Sequence, residues 1–174
     1  EALGWREPPF DIPETIRSAW DARPRGAALR ADWQTRFDAY ARAYPDLALE
    51  LDRRLRDELP EGFGPGALQA VQAVADKGET IASRKASQNA IAALAPRLPE
   101  LLGGSADLTG SNLTNWPACR SITPQGLAQG QGGNYVHYGV REFGMAAIMS
   151  GVALHGGYRP FGGTFLMFSA CARH

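Results

Sequence analysis

Apolar residues recur along the first sixty positions at helical spacing. Leu29, Trp33, Phe37, Tyr40 and Tyr44 follow one another at steps of four, four, three and four, which is one face of a helix stopped by Pro45. Pro45 opens the next helix, with Leu47, Leu51, Leu55 and Leu59 down one side and Arg53, Arg54, Asp57 and Glu58 elsewhere. Further upstream, Asp11-Ile12-Pro13-Glu14 has the form of a helix start: an Asp cap, a Pro in the first turn and a Glu three residues on. Stripes of this kind are packing faces rather than cofactor contacts. Pro60 to Gly66 (PEGFGPG) is the clearest breaker and divides the chain into residues 1–66 and 67–174. A short helix around Leu68, Val71 and Val74 then ends at Gly78. Another, from Ile81 to Leu94, carries Ala86, Ala90, Ile91 and Leu94 as its apolar residues, with Pro96 as the stop.

Beyond Pro99 the period changes. Leu101 to Leu108 and Tyr135 to Val140 read as strands, Phe143 to Leu154 as a helix rich in small residues, and Tyr158 to Phe168 as a third strand. This alternation predicts an α/β fold: a helical linker segment, then the first part of a mostly parallel sheet. The chain starts at Glu1 and stops at His174, just after the apolar run to Phe168. A parallel sheet does not leave such a strand bare, so the expectation is a fragment with an incomplete sheet.

Composition alters this picture only when it is split. Of 174 residues, Lys+Arg number 18 and Asp+Glu 18, with 44% hydrophobic and 21% charged. That balance argues against a nucleic-acid-binding basic surface and against an acidic tail. The longest apolar run, Met145 to Leu154, is interrupted by Ser150 and Gly151 and is too short for a bilayer, so no membrane partner is expected. Cys119 and Cys171 make no disulfide framework, which favours the cytoplasm. Sixteen of the 18 acids lie at or before Glu100, leaving Asp107 and Glu142 in a segment that holds 14 of the 20 glycines. A stretch so poor in carboxylates predicts burial in a larger assembly, and its two remaining acids are candidates for chemistry.

Standard signatures are missing. Gly130-Gln131-Gly132-Gly133 fails the dinucleotide pattern because Tyr135 occupies the third glycine position, and no Walker loop, nucleophile elbow or zinc motif is present. His137 and His155 lack metal-ligand spacing. Three clusters remain. Ile81 to Gln88 sets Arg84, Lys85 and hydroxyls at a helix start, which is either an anion site or an ordinary exposed first turn. Gly103 to Leu113 runs a strand into a Gly- and Ser-rich loop, a ligand-binding edge of a sheet or a tight connector. In Gly133 to Met145, Glu142 follows a strand and enters an apolar helix. A carboxyl there loses hydration, which favours its neutral, hydrogen-bond-donating form; an Arg141–Glu142 structural element is the equal alternative.

Together the clusters are more specific than any one. IASRKASQNAI, LLGGSADLTGSNLT, GNYVHYGVREFGM and LHGGYRPFGGTFLMF resemble the start of the transketolase pyrimidine-binding domain, and LGWREPPFDIP…AWDA resembles the end of that family's diphosphate-binding domain and its linker. The resemblance implies residues 1–66 as the latter and 67–174 as the former, an incomplete thiamine diphosphate-binding domain. It implies an enzyme that transfers a two-carbon ketol unit between sugar phosphates. The cofactor is thiamine diphosphate with a divalent metal, Mg or Ca, bound by parts absent from this chain, and the partner is a second subunit in a homodimer. Glu142 matches the catalytic residue that hydrogen-bonds a pyrimidine ring nitrogen and promotes the tautomer that removes the thiazolium proton. Phe165 and Phe168 match aromatic contacts to the pyrimidine, Arg84 and Ser111 match binders of the sugar-phosphate end, and Asp107 matches an acid near cofactor and subunit interface. Where the family continues TFLMF with an acid and a Tyr, this chain has Ser169 to His174, with Cys171 at the Tyr position. The Gly-Asp-Gly metal–diphosphate motif is absent, so the isolated chain is expected to be inactive. A related ketol transferase such as dihydroxyacetone synthase, and a non-catalytic remnant or assembly module, are the alternatives.

Overall fold

A computed structural model describes residues 3–173. The chain divides into two compact units, one running to Leu49 and the other from Glu50 onward.

The first unit is helical. Helix α1 (Glu14–Trp20) starts after Pro13, and no side chain caps it, so Asp11 does not serve as the expected cap. Asp21 instead holds the start of α2 (Arg23–Ala43), accepting from the Arg23 backbone N–H at 3.0 Å and from its guanidinium at 2.7 and 2.8 Å. The α2 stripe forms as spaced, and Pro45 ends it by opening α3 (Pro45–Leu55). The stripe does not enter a core on this chain. Trp33 and Phe37 stack at 5.0 Å along their own helix, and Leu29, Trp33, Tyr40 and Tyr44 are exposed. Leu59 lies beyond α3, which ends one turn earlier than its leucine spacing predicts.

In the second unit the supposed breaker begins a helix. Gly62 takes a left-handed conformation at the N-cap, and α4 (Phe63–Lys77) runs on to a left-handed Gly78. Pro65 fits because it sits in the first turn, where backbone N–H groups have no intrahelical partner. Helix α5 (Ser83–Leu94) continues as a single 3-10 turn, Ala95–Arg97, rather than stopping at Pro96. Strand β1 (Leu101–Ser105) follows, then the short helices α6 (Thr109–Asn112) and α7 (Pro124–Ala128), strand β2 (Tyr135–His137), helix α8 (Glu142–His155) and strand β3 (Arg159–Pro160).

The three strands form a parallel sheet in the order β2-β1-β3. Gly103, Gly104 and Ser105 register with Tyr135, Val136 and His137, and Leu101 and Leu102 with Arg159 and Pro160. Each strand is shorter than its apolar run. Asp107 at φ 63° and Gly139 at φ 67° leave the extended region and end β1 and β2. The third run differs most. After Pro160 the chain keeps one bridge, Gly163 to Ser105, and then winds into a 3-10 helix, Leu166–Ala172, so Phe168 is not in a strand.

Successive residues of β1 face opposite ways. A Cβ on Gly103 would run into the Phe161 ring and approach Trp116, whereas one on Gly104 would run into the Tyr138 ring. Two cores lie on these two sides. Ala95, Trp116 and Tyr135 pack with Ile91, Leu101 and Phe161, and Ala106, Tyr138 and Met145 pack with Val136 and Met149. Burial pushes the Tyr138 phenol pKa up.

The acids at or before Glu100 include a buried one. Glu100, at the foot of β1, is buried and receives Arg53 in two bonds of 2.9 Å. Arg53 and Arg54 also reach Glu50, at 2.8 and 2.7 Å. Hydrogen bonding from Arg53 lowers the Glu50 pKa to about 2. Burial works against the charged form of Glu100, but the Arg53 hydrogen bonds and charge outweigh it and hold its pKa below the ordinary value. Arg159 adds a backbone bond to the Glu100 carbonyl at 3.0 Å and pairs with Asp57.

Candidate functional site

The site forms at the carboxyl end of β1, where open parallel sheets bind ligands. Ser105 ends the strand fully buried. Its hydroxyl accepts from the Leu108 backbone N–H and from Asn112 Nδ2, each at 3.1 Å, and donates to the Gly163 carbonyl at 3.2 Å. One hydroxyl thus fixes the loop after β1 to the segment after β3. The buried Tyr135 hydroxyl lies 2.7 Å from Thr109 Oγ1 and 2.6 Å from Thr114 Oγ1, which holds the other end of the same loop. Sequence reading missed Ser105, Thr114 and Tyr135. Ser105 follows Gly103-Gly104 at a strand end and Tyr135 comes soon after Gly132-Gly133 at a strand start, whereas Thr114 carries no such signal.

This loop borders a cleft of about 470 Å³ lined by Arg84, Ser111, Asn112, Thr114, Thr164 and Phe165, among others. Arg84 is exposed in the first turn of α5, and that turn, with Ala82 and Ser83 also on the wall, has no side-chain cap. Ser111 is exposed on α6. Phe165 forms part of the wall, and Phe168 stacks behind it at 6.4 Å with ring planes 17° apart. Four predicted residues therefore assemble: Arg84, Ser111 and Phe165 on the wall, Phe168 against Phe165.

Glu142 is reached one step further on. It sits half-buried in the first turn of α8, and its Oε1 accepts a hydrogen bond from Thr164 Oγ1 at 3.2 Å. Arg141 turns away to the Tyr138 carbonyl at 3.1 Å, so its guanidinium bonds a backbone group rather than the neighbouring carboxylate. Thr164 is the residue that joins Glu142 to the cleft, and sequence reading missed it as well. Asp107 is exposed at the left-handed start of the loop and is not among the residues lining the cleft. Lys85 bonds Gln88 at 2.9 Å along its own helix. His137 lies 2.9 Å from Ser121 Oγ and His155 3.1 Å from the Gly156 carbonyl, so both are hydrogen-bonded. Among the described residues no group of three or more His, Cys, Asp or Glu is arranged to hold a metal ion, and no helix is long and apolar enough to cross a membrane.

An uncapped helix start with an arginine, a hydroxyl-rich loop and an aromatic wall, all at the carboxyl edge of a parallel sheet, define an α/β domain whose cleft has the chemistry suited to a flat, anionic small molecule. Comparison with known proteins gives that class a family. Residues 79–174 match the family model "Transketolase, pyrimidine binding domain", and residues 1–60 match "Transketolase, thiamine diphosphate binding domain". The chain belongs to the transketolase family. It is 52% identical over 174 residues to transketolase 1 of Vibrio vulnificus (strain CMCP6), covering all of this chain and 26% of the relative. It is 53% identical over 173 residues to the plasmid transketolase of Cupriavidus necator, covering 99% of this chain and 25% of that one. Among solved structures, the Pichia stipitis transketolase complex with sedoheptulose-7-phosphate matches with a TM-score of 0.75 at 35% identity, over 94% of this chain and 24% of that one. The Leishmania mexicana transketolase matches at 0.74 and 33%, over 95% and 24%. The chain thus spans about a quarter of the length of the relatives it matches.

Proposed function

We propose that this chain is the part of a transketolase that grips the pyrimidine half of thiamine diphosphate and the phosphate end of the sugar substrate, in an enzyme that moves a two-carbon ketol unit between sugar phosphates. The observation that carries the reading is the convergence on one cleft of Arg84, Ser111 and Phe165, with Glu142 tied to its wall through Thr164.

The residues fit the ring half of the cofactor. An aminopyrimidine needs apolar plates for its faces and a carboxyl for its ring nitrogen, and Phe165, Phe168 and Glu142 are that set. When bound, thiamine diphosphate supplies the carbon acid on which ketol transfer runs. Glu142 hydrogen-bonds the ring nitrogen and shares a proton with it. The Phe165–Phe168 pair orients the ring and excludes water from its face. Arg84 and Ser111 bind the substrate phosphate, because a guanidinium and a hydroxyl both donate to its oxygens and the first-turn N–H groups of α5 add to them. Asp107, outside the cleft lining, is assigned by the family resemblance alone to the neighbourhood of the cofactor and the subunit interface. Residues 1–66 form the end of the diphosphate-binding domain and its linker, and 67–174 the start of the pyrimidine domain. A divalent metal, Mg or Ca, is held by other parts of a cytoplasmic homodimer.

Two variants of the complete protein that carries this chain test the proposal. Glu142→Gln lowers turnover by about 10²–10⁴-fold with the circular dichroism spectrum unchanged, the range for loss of a positioned proton donor. Arg84→Ala raises KM for phosphorylated acceptors and leaves glycolaldehyde, which has no phosphate, nearly unaffected. Near-normal turnover in Glu142→Gln contradicts the assignment.

A further inference from the structure

We propose that Thr164 is the positioning residue for the Glu142 carboxyl, fixing which of its two oxygens faces the cofactor. The inference rests on the reading of Glu142 given above and concerns what its link to Thr164 does for the carboxyl.

The geometry begins one residue earlier. The Gly163 N–H donates to the Gly104 carbonyl at 3.1 Å, and the Gly163 carbonyl accepts from the Ala106 N–H at 3.1 Å and from Ser105 Oγ at 3.2 Å. Three bonds to residues 104–106 therefore hold Gly163, two of them on the carbonyl of the peptide that precedes Thr164. A Cβ at position 163 would run into Thr114 and come within 2.9 Å of Asn112 Nδ2, so the backbone passes where only glycine fits. On such a backbone Thr164, β-branched and stiff at χ1, has little freedom to move its hydroxyl. That hydroxyl donates to Glu142 Oε1. Glutamate has three rotatable side-chain bonds, and the N-cap residue of α8, Arg141, gives the helix no side-chain cap.

The chemical consequence follows from donor and acceptor roles. In a carboxylic acid one oxygen carries the proton and the other accepts. Donation by Thr164 occupies Oε1 as an acceptor and leaves Oε2 as the oxygen free to share a proton with a ring nitrogen. The buried end of β1, through Ser105 and Gly163, thereby sets the aim of a side chain on a different element.

The test uses the complete protein with thiamine diphosphate and magnesium, and compares Thr164→Val, Thr164→Ala and Thr164→Ser with Glu142→Gln. Hydrogen–deuterium exchange at C2 of the bound cofactor, cofactor Kd and the unfolding midpoint without cofactor are measured for each. Thr164→Val and Thr164→Ala are expected to slow exchange about tenfold, equivalent to about 1.4 kcal/mol, and to weaken binding only about threefold. Thr164→Ser, which keeps the hydroxyl, is expected to recover most of the exchange rate. Should Val fail to fold, Ala against Ser decides by the same criterion. Wild-type exchange in Thr164→Ala, or equal losses in Ala and Ser, overturns the role of the hydroxyl while a slow Glu142→Gln leaves the broader reading standing. Wild-type exchange in Glu142→Gln overturns both.

Discussion

Two arginine–carboxylate pairs of similar length separate the two units of this chain. Arg36 and Asp32 on α2 meet at 2.7 Å with side chains 72% and 64% exposed. Arg53 and Glu100 meet at 2.9 Å with 15% and 3% exposed. A solvated pair one helical turn apart contributes about 0.3–0.5 kcal/mol, whereas removing one member of a buried pair costs about 3–5 kcal/mol, because the other charge remains in a poor dielectric. Burial, not distance, decides between them. The same contrast holds for hydroxyls and rings. On α2 the aromatic stripe stacks upon itself in the open, while beyond Glu50 Ser105, Thr114 and Tyr135 are buried and fully engaged. The unit with buried polar groups is the one that carries the cleft, since those bonds fix where its side chains point.

Breaking the buried pair is the largest test of that contrast. Arg53→Met is expected to destabilise the complete protein by about 3–5 kcal/mol in urea unfolding. Glu100→Gln should cost less, since Arg53 keeps Glu50 as a partner. The same cluster predicts an acid limb. Glu50 and Glu100 have folded pKa values below the ordinary 4.5, to about 2 for Glu50. A depressed folded value means the stabilisation is complete above about pH 4.5 and is lost as pH falls toward 2. Stability measured from pH 6 to 2 should show this loss, and Arg53→Met should flatten it.

Smaller effects sharpen the comparison at the site. Gly163→Ala forces a methyl onto Thr114, with an expected loss of about 1–3 kcal/mol. Ser105→Ala leaves the Leu108 N–H and Asn112 amide without their acceptor, again about 1–3 kcal/mol, with KM rising through a displaced Ser111. At the low end, Arg36→Ala should change the unfolding midpoint by less than about 0.5 kcal/mol. A loss as large as that of Arg53→Met would remove the distinction.

What the sequence made legible was local. Helical spacing located α2, α3, α5 and α8, and the shift to short apolar runs located β1 and β2. Misreadings arose where a local signal had two physical outcomes. Gly62 and Pro65 punctuate a helix start as readily as a loop. Tyr158 to Phe168 is apolar like a strand, but Pro160 has no N–H for a ladder, and the chain coils after Gly163. The long-range bonds left no local trace. Arg53 and Glu100 are 47 positions apart, Ser105 and Gly163 58, and Glu142 and Thr164 22. The family motifs supplied Arg84, Ser111, Phe165, Phe168 and Glu142, and the Thr164 hydroxyl that bonds Glu142 emerged only with the fold.

On the function proposed above, the Glu142 carboxyl activates a cofactor held against Phe165. The most direct measurement is C2 hydrogen–deuterium exchange of thiamine diphosphate bound to the complete Glu142→Gln protein, at cofactor concentrations that saturate it. Exchange slowed by about 10²-fold or more with the cofactor still bound is the expected result. Exchange at the wild-type rate in the saturated variant would contradict it.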